Sequence, residues 1–235
     1  MRIDRHAPPT ARRVHKRGMK KRAGKMSGVK FPGVIQLESQ MEAALVRCMQ
    51  VDPRVVSLKP QPCTIDMGTG RAFANKEAAL EAYEGRRYRP KLYTPDLEVK
   101  LVDGRLFYLD AKHSAHIDKK PEYLDYPSLL AEVGISLVIV TESLLQGPID
   151  RNAWLLLQGQ AEETAPKLAS KIACLKQQRV TFKELRENIG IPQAKILRLI
   201  LDGYLVFDFS IEALGPSTNL NTANRDRRHL EVIEF

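Results

Sequence analysis

Two acids and an amine are the residues whose types and spacing best suit chemistry. Asp96 lies in Thr94-Pro95-Asp96-Leu97, while Asp110 and Lys112 lie in Leu109-Asp110-Ala111-Lys112. Side chains alternate along a strand, so Asp110 and Lys112 project from one face and Ala111 from the other. Carboxylates are hard oxygen donors suited to Mg²⁺, and an ammonium beside them orients an attacking water or neutralises phosphate charge. Burying these charges together at one strand end for structural reasons alone would be costly. The pattern is therefore read as a metal-dependent nuclease site built on a sheet.

The elements that must position these groups are legible around them. Residues 92–101 and 106–112 read as strands joined through Asp103-Gly104, a hairpin signal. A strict two-residue loop places Asp96 opposite Ala111, on the wrong face for Asp110. Convergence of the aspartates demands one extra residue, through a bulge or a three-residue loop, or else Asp96 at a twisted strand end. Glu42 is a third acid, on an amphipathic helix over residues 37–50 with Leu37, Met41, Ala44, Leu45 and Cys48 on one face. Ser39-x-x-Glu42 is also a capping-box spacing, so Glu42 is read as either a cap or a ligand. Gln61, before Pro62, is either a loop amide or an accessory group near metal or DNA. His113 and His116 lack zinc spacing and read as solvated neighbours of the motif.

Residues 55–58 and 61–65 are β-prone, 76–86 form a polar helical excursion, and 121–132 read as a helix. The apolar run 136–141 reads as a buried strand. Hairpin, helix and strand in succession imply an α/β domain with a mixed sheet. Beyond residue 150 the pattern changes. A helix over 168–178 is followed by a Thr181-x-x-Glu184 capping box, a Gly190 turn, a helix over 192–202, Gly203, and a strand over 204–209. That succession resembles a winged helix-turn-helix. Lys195 and Arg198 sit on its presumed recognition helix among Glu184, Glu187 and Asp202, so docking of protein stands beside docking of DNA. Residues 212–235 read as an irregular extension.

Composition sets the class. The 235 residues are 43% hydrophobic and 28% charged, as in a soluble globular protein with one medium and one small domain. No run of about 18 apolar residues exists, and no apolar stretch follows the basic N-terminus, so neither a membrane span nor a secretory signal is expected. Cys48, Cys63 and Cys174 are scattered and odd in number, which suits a reducing cytoplasm. The net charge of +9 is concentrated. Residues 1–30 hold eleven Lys or Arg against the single acid Asp4, and the rest of the chain balances 26 cations with 27 acids. The arm is expected to lack order alone and to contact phosphates through Arg12, Arg13, Lys16, Arg17, Lys20, Lys21 and Arg22. A solubilising tail or a tether for an acidic protein is the alternative.

Glu42 on a first helix, Gln61-Pro62, Tyr93-Thr94-Pro95-Asp96, Asp110-x-Lys112 and Ile139-Val140-Thr141-Glu142, in that order, resemble the TnsA family. These are endonuclease subunits of heteromeric cut-and-paste transposases, including those of CRISPR-associated transposons. The resemblance covers about residues 36–209 and leaves the basic arm unmatched. It implies a restriction-endonuclease-like PD-(D/E)xK domain over residues 31–150 and a winged helix over 151–211, flanked by the arm (1–30) and the extension (212–235). It further implies a Mg²⁺-dependent cut, with Mn²⁺ as a substitute, at the 5′ ends of a transposon in double-stranded DNA. A DDE transposase cutting the 3′ ends and an AAA+ regulator are the implied partners, in a bacterial cytoplasm at the nucleoid. Carried over by position, Glu42, Asp96 and Asp110 would ligate metal and Lys112 would be the catalytic lysine. A stand-alone restriction-like nuclease and a non-enzymatic winged-helix adaptor are the competing classes.

Overall fold

In a computed structural model, residues 4–12, 24–145, 147–163, 166–173 and 179–235 are described. Arg13, Lys16, Arg17, Lys20, Lys21 and Arg22 therefore lie outside the described residues. The chain divides into two units: residues 1–49 and 55–143 with Phe235, and residues 50–54 with 144–234.

The first unit begins with β1 (Gly24–Gly28) and β2 (Phe31–Leu37), an antiparallel pair in which Gly24 faces Leu37. Helix α1 (Gln40–Val51) follows, then β3 (Val55–Pro60), β4 (Thr64–Asp66) and β5 (Ala72–Phe73). Next come α2 (Lys76–Ala82), capped by Asn75, then β6 (Leu92–Tyr93), β7 (Leu97–Leu101) and β8 (Leu106–Ala111). Helix α3 (Ser114–Lys119), a 3-10 turn (Pro121–Asp125), α4 (Tyr126–Ala131) and β9 (Leu137–Val140) complete it. The main sheet runs β3-β7-β8-β9, with β8 and β9 parallel and the other pairs antiparallel. It is a mixed sheet, as an α/β pattern of hairpin, helices and strand requires. Leu97, Val99 and Leu101 alternate into its buried face.

The strand expected over 92–101 is two strands in two sheets. β6 pairs with β4, whereas β7 pairs with β3 and β8. The break falls at Thr94-Pro95-Asp96, opposite a second break at Gln61-Pro62-Cys63 between β3 and β4. Proline has no N–H for a ladder, so a proline at each break releases the chain from one sheet and lets it enter another. Asp96 stands at that corner.

The segment through residue 30, expected to lack order, has partners in its described parts. Besides β1, Asp4 accepts from the Val34 N–H at 2.8 Å, and the buried Ala11 donates its N–H to the Gln61 carbonyl at 2.8 Å. Charge counting misses this because ladder and cap bonds to the backbone need no apolar periodicity.

In the second unit α5 (Glu142–Leu145, shared with the end of the first), α6 (Pro148–Leu157) and α7 (Pro166–Ala173) precede β10 (Arg179–Thr181). The expected capping box opens α8 (Phe182–Glu187): the Glu184 N–H donates to Thr181 Oγ1, and the Thr181 N–H donates to Glu184 Oε2. Helix α9 (Gln193–Leu201) and β11 (Leu205–Val206) follow. The tail expected to be irregular instead supplies β12 (Asn219–Thr222), the middle strand of the sheet β10-β12-β11. Leu214, Leu220, Leu230 and Ile233 are buried with it. Buried Asn152 ties the tail down, donating to the Phe209 and Glu212 carbonyls and accepting from the Leu214 N–H. Among the described residues no helix is long and apolar enough to cross a membrane.

Candidate functional site

The hairpin meets the demand placed on it. Leu101 N–H donates to the Arg105 carbonyl at 2.9 Å, which leaves a three-residue loop of Val102, Asp103 and Gly104. Gly104 takes a φ of +88°, a conformation that favours glycine. The ladder then runs Lys100↔Leu106, Val99↔Phe107, Glu98↔Tyr108 and Leu97↔Leu109. One step further, this register sets Asp96 against Asp110. Lys112 is fixed by its N–H, which donates to the Val140 carbonyl of the parallel neighbour at 2.9 Å. Its Nζ lies 2.6 Å from Asp110 Oδ1 and 3.5 Å from Asp96 Oδ2. Asp110 is fully buried and Asp96 nearly so.

Each carboxylate has further donors. Asp96 Oδ2 accepts from the Ala111 N–H at 3.1 Å, and Asp96 Oδ1 accepts from Arg12 Nη2 at 3.2 Å. Asp110 Oδ2 accepts a short hydrogen bond from the Tyr93 hydroxyl. Tyr93 packs edge-on against Tyr126 in a core with Ile65, Met67, Leu130 and Leu137. The packed ring therefore holds the hydroxyl against the acid. Lys112 Nζ also lies 5.7 Å from the centre of the Tyr123 ring.

Glu42 is buried and bonded to the two residues that precede its helix. The Glu42 N–H donates to Ser39 Oγ at 3.1 Å, while its carboxylate accepts from the Glu38 N–H at 2.9 Å and from the Ser39 hydroxyl at 3.1 Å. Ser39 Oγ thus takes up an N–H of the first turn of α1, the Glu42 carboxylate reaches back to the Glu38 N–H rather than to that of Ser39, and the Glu42 charge is felt at Asp96. Gln61 joins the same cluster. Its N–H donates to the Asp96 carbonyl at 2.9 Å, and its Nε2 donates to Glu38 Oε1 at 3.0 Å. Its backbone adopts a φ of +41°, in the left-handed region that a glutamine seldom occupies. Among the described residues its buried Oε1 has no hydrogen-bond partner.

The electrostatics are those of paired acids in a dry place. Burial, reinforced by the charge of Asp110, pushes the Asp96 carboxyl well above the usual carboxylate range. Burial also works to raise Asp110, but hydrogen bonds from Asp96, Lys112 and Tyr93 together with the Lys112 charge bring it below its usual value. Burial raises Glu42 as well. Lys112 goes up: burial opposes its charge, but Asp96 and Asp110 outweigh that. Tyr93 is raised by burial and by Asp110, so it stays a hydrogen-bond donor.

Among the described residues no three His, Cys, Asp or Glu side chains form a ready-made metal cage. The carboxylate of Glu42 is engaged by Glu38 and Ser39, which leaves Asp96 and Asp110 as the acids brought face to face. The donor set nonetheless fits a hard divalent cation. Among the described residues, two carboxylates crowd each other, an oxygen of Gln61 is buried without a partner, and four acids (Glu38, Glu42, Asp96, Asp110) are grouped with two cations (Arg12, Lys112). Repulsion of this kind is what a divalent ion relieves.

Sequence reasoning missed Glu38, the role of Tyr93 and the placement of Arg12 in the cluster. Tyr93 carried a signal, as an aromatic three residues before the acid. Glu38 precedes Glu42 by four residues and lies just before α1, and that spacing on the helix expected over 37–50 could have flagged it. His113, read as solvated, is exposed and caps α3, accepting from the Ala115 N–H at 3.2 Å and lying 3.3 Å from Glu142. Compared with known protein families and with curated proteins, the chain matches no family model and no curated sequence.

Proposed function

We propose that the chain is a divalent-metal-dependent DNA endonuclease of restriction-endonuclease-like fold, with a winged helix in its second unit. In this reading it is the subunit of a TnsA-like transposase that cuts transposon 5′ ends beside a DDE transposase, under an AAA+ regulator. One observation carries it: Asp96 and Asp110 on neighbouring strands share Lys112 Nζ at 3.5 and 2.6 Å in a buried corner. Asp96 and Asp110 would hold Mg²⁺ or Mn²⁺, with Glu42 and Gln61 behind them. The ion would supply Lewis-acid activation of the phosphodiester and of the attacking water. Lys112 is placed to hold a water or to neutralise developing phosphate charge. Tyr93 keeps Asp110 ionised and aimed.

Beyond residue 30, 26 cations balance 27 acids, so that part of the chain alone should bind DNA weakly. Arg198, on the helix expected to read DNA, is paired with Asp202 at 3.0 Å. Both observations support sequence choice by the partner subunit and protein docking by the second unit. The test is 5′-strand nicking of transposon-end DNA by the complex assembled with both partners and Mg²⁺. Asp96→Ala or Lys112→Ala should lower the rate about a hundredfold or more while leaving assembly intact. Normal nicking by either variant rejects the reading.

A further inference from the structure

We propose that Arg12 is the resident counter-cation of this site, bound to the Asp96 carboxylate that a divalent ion would take. Cation binding and docking of the N-terminal segment are then mutually exclusive. The inference rests on the metal reading above and adds to it a rival built into the chain.

The guanidinium arrives from 84 residues away in sequence, with Nη2 3.2 Å from Asp96 Oδ1 and 3.9 Å from Glu38 Oε2. The other Asp96 oxygen already serves the Ala111 N–H and Lys112. Oδ1 is thus the oxygen open to exchange, and Arg12 holds it. The segment that delivers Arg12 is pinned at two points, by Ala11 N–H on the Gln61 carbonyl and by Asp4 on the Val34 N–H.

This docking is incompletely satisfied. Among the described residues, Arg12 Nε is buried without an acceptor, and Gln61 Oε1 is buried without a donor. Native proteins seldom leave such groups unmatched, and release of Arg12 from Asp96 would return its Nε to solvent. Arg12 is also two-fifths exposed, so its ion pair is partly screened and readily replaced. An incoming phosphodiester offers the guanidinium two oxygens in the geometry of its fork, a better partner than one shared carboxylate oxygen. Metal on Asp96 and phosphate on Arg12 would therefore arrive together.

The experiment uses the full-length chain and two readouts independent of cleavage. The first is Mn²⁺ affinity by calorimetry for the wild type, Arg12→Gln and Asp96→Asn. Arg12→Gln should bind Mn²⁺ about tenfold more tightly, the effect of one removed ion-pair partner in a partly screened site, and Asp96→Asn should lose the site. The second is hydrogen exchange of residues 4–12. By reciprocity, saturating Mg²⁺ should accelerate exchange at the Ala11 amide in the wild type and not in Asp96→Asn. Equal Mn²⁺ affinity in wild type and Arg12→Gln, or an Ala11 amide unchanged or protected by Mg²⁺, overturns the competition while leaving the metal site standing. Absence of Asp96-dependent Mn²⁺ binding in both wild type and Arg12→Gln overturns the competition and the metal reading together.

Discussion

Asp96 and Asp110 face each other across β7 and β8 because the hairpin between them has three residues in its loop rather than two. Had the loop been Asp103-Gly104 alone, Ala111 would stand where Asp110 does, and Lys112 would project away from Asp96. The chemistry proposed for the site therefore depends on Val102, a residue with no chemical role of its own.

The crowding of these acids makes a prediction about protons. Asp96, raised by burial and by Asp110, holds its proton at pH values where a free aspartate is ionised. A folded pKa raised in this way contributes stability that is full below the unfolded value of 3.8 and lost as pH rises through the folded one. Below that folded value a divalent cation must displace the proton, and above it the Arg12 guanidinium paired with the ionised carboxylate. Metal affinity should thus rise with pH through that range, with up to about one proton released per ion bound at its lower end. Calorimetry in buffers of different ionisation enthalpy measures this, and binding without proton release would count against it.

Tyr93→Phe keeps the ring against Tyr126 but removes the hydroxyl from Asp110. A buried carboxylate deprived of one donor costs about 1–3 kcal/mol. Urea unfolding at neutral pH should show a loss of that size, and an unchanged midpoint would mean the hydroxyl contributes nothing.

In the second unit, burial lowers His229 from 6.5 to about 4, against the opposing influence of Asp226. The unfolded chain therefore binds a proton that the folded chain refuses between these values. Stability is full above pH 6.5 and falls as pH drops toward 4, by up to about 3 kcal/mol. Other groups titrate in the same window, so the difference between wild type and His229→Phe is the quantity to measure. Parallel stability curves for the two proteins would contradict the assignment.

Much of this was legible in the sequence. The mixed α/β pattern, the Thr181 capping box and the facing of Asp110 and Lys112 follow from periodicity and cap chemistry, which are local. The break at Pro95, the strand Asn219–Thr222 and the pairing of Arg12 with Asp96 were not legible. Each depends on a partner distant in sequence: β4 for Tyr93, β10 and β11 for Asn219–Thr222, and the corner of the sheet for Arg12. Glu42 shows the boundary between the two cases. Its tie to Ser39 could be read from their spacing, whereas its proximity to Asp96 required the fold.

The basic segment carries a prediction that depends on charge alone. Replacing Arg13, Lys16, Arg17, Lys20, Lys21 and Arg22 by Gln leaves β1 intact, unlike deletion of residues 1–30. If the six cations contact phosphates, affinity for duplex DNA should fall, and the slope of log affinity against log salt should flatten by up to about five. An unchanged slope would assign the segment to a protein partner.

The most direct measurement is a crystal structure of the chain soaked in Mn²⁺, with the ion located by its anomalous scattering. A peak is expected within bonding distance of both Asp96 and Asp110, with Lys112 Nζ beside it and Arg12 displaced from Asp96. A Mn²⁺-saturated crystal with no peak between those two aspartates, and Arg12 still on Asp96, would contradict that expectation.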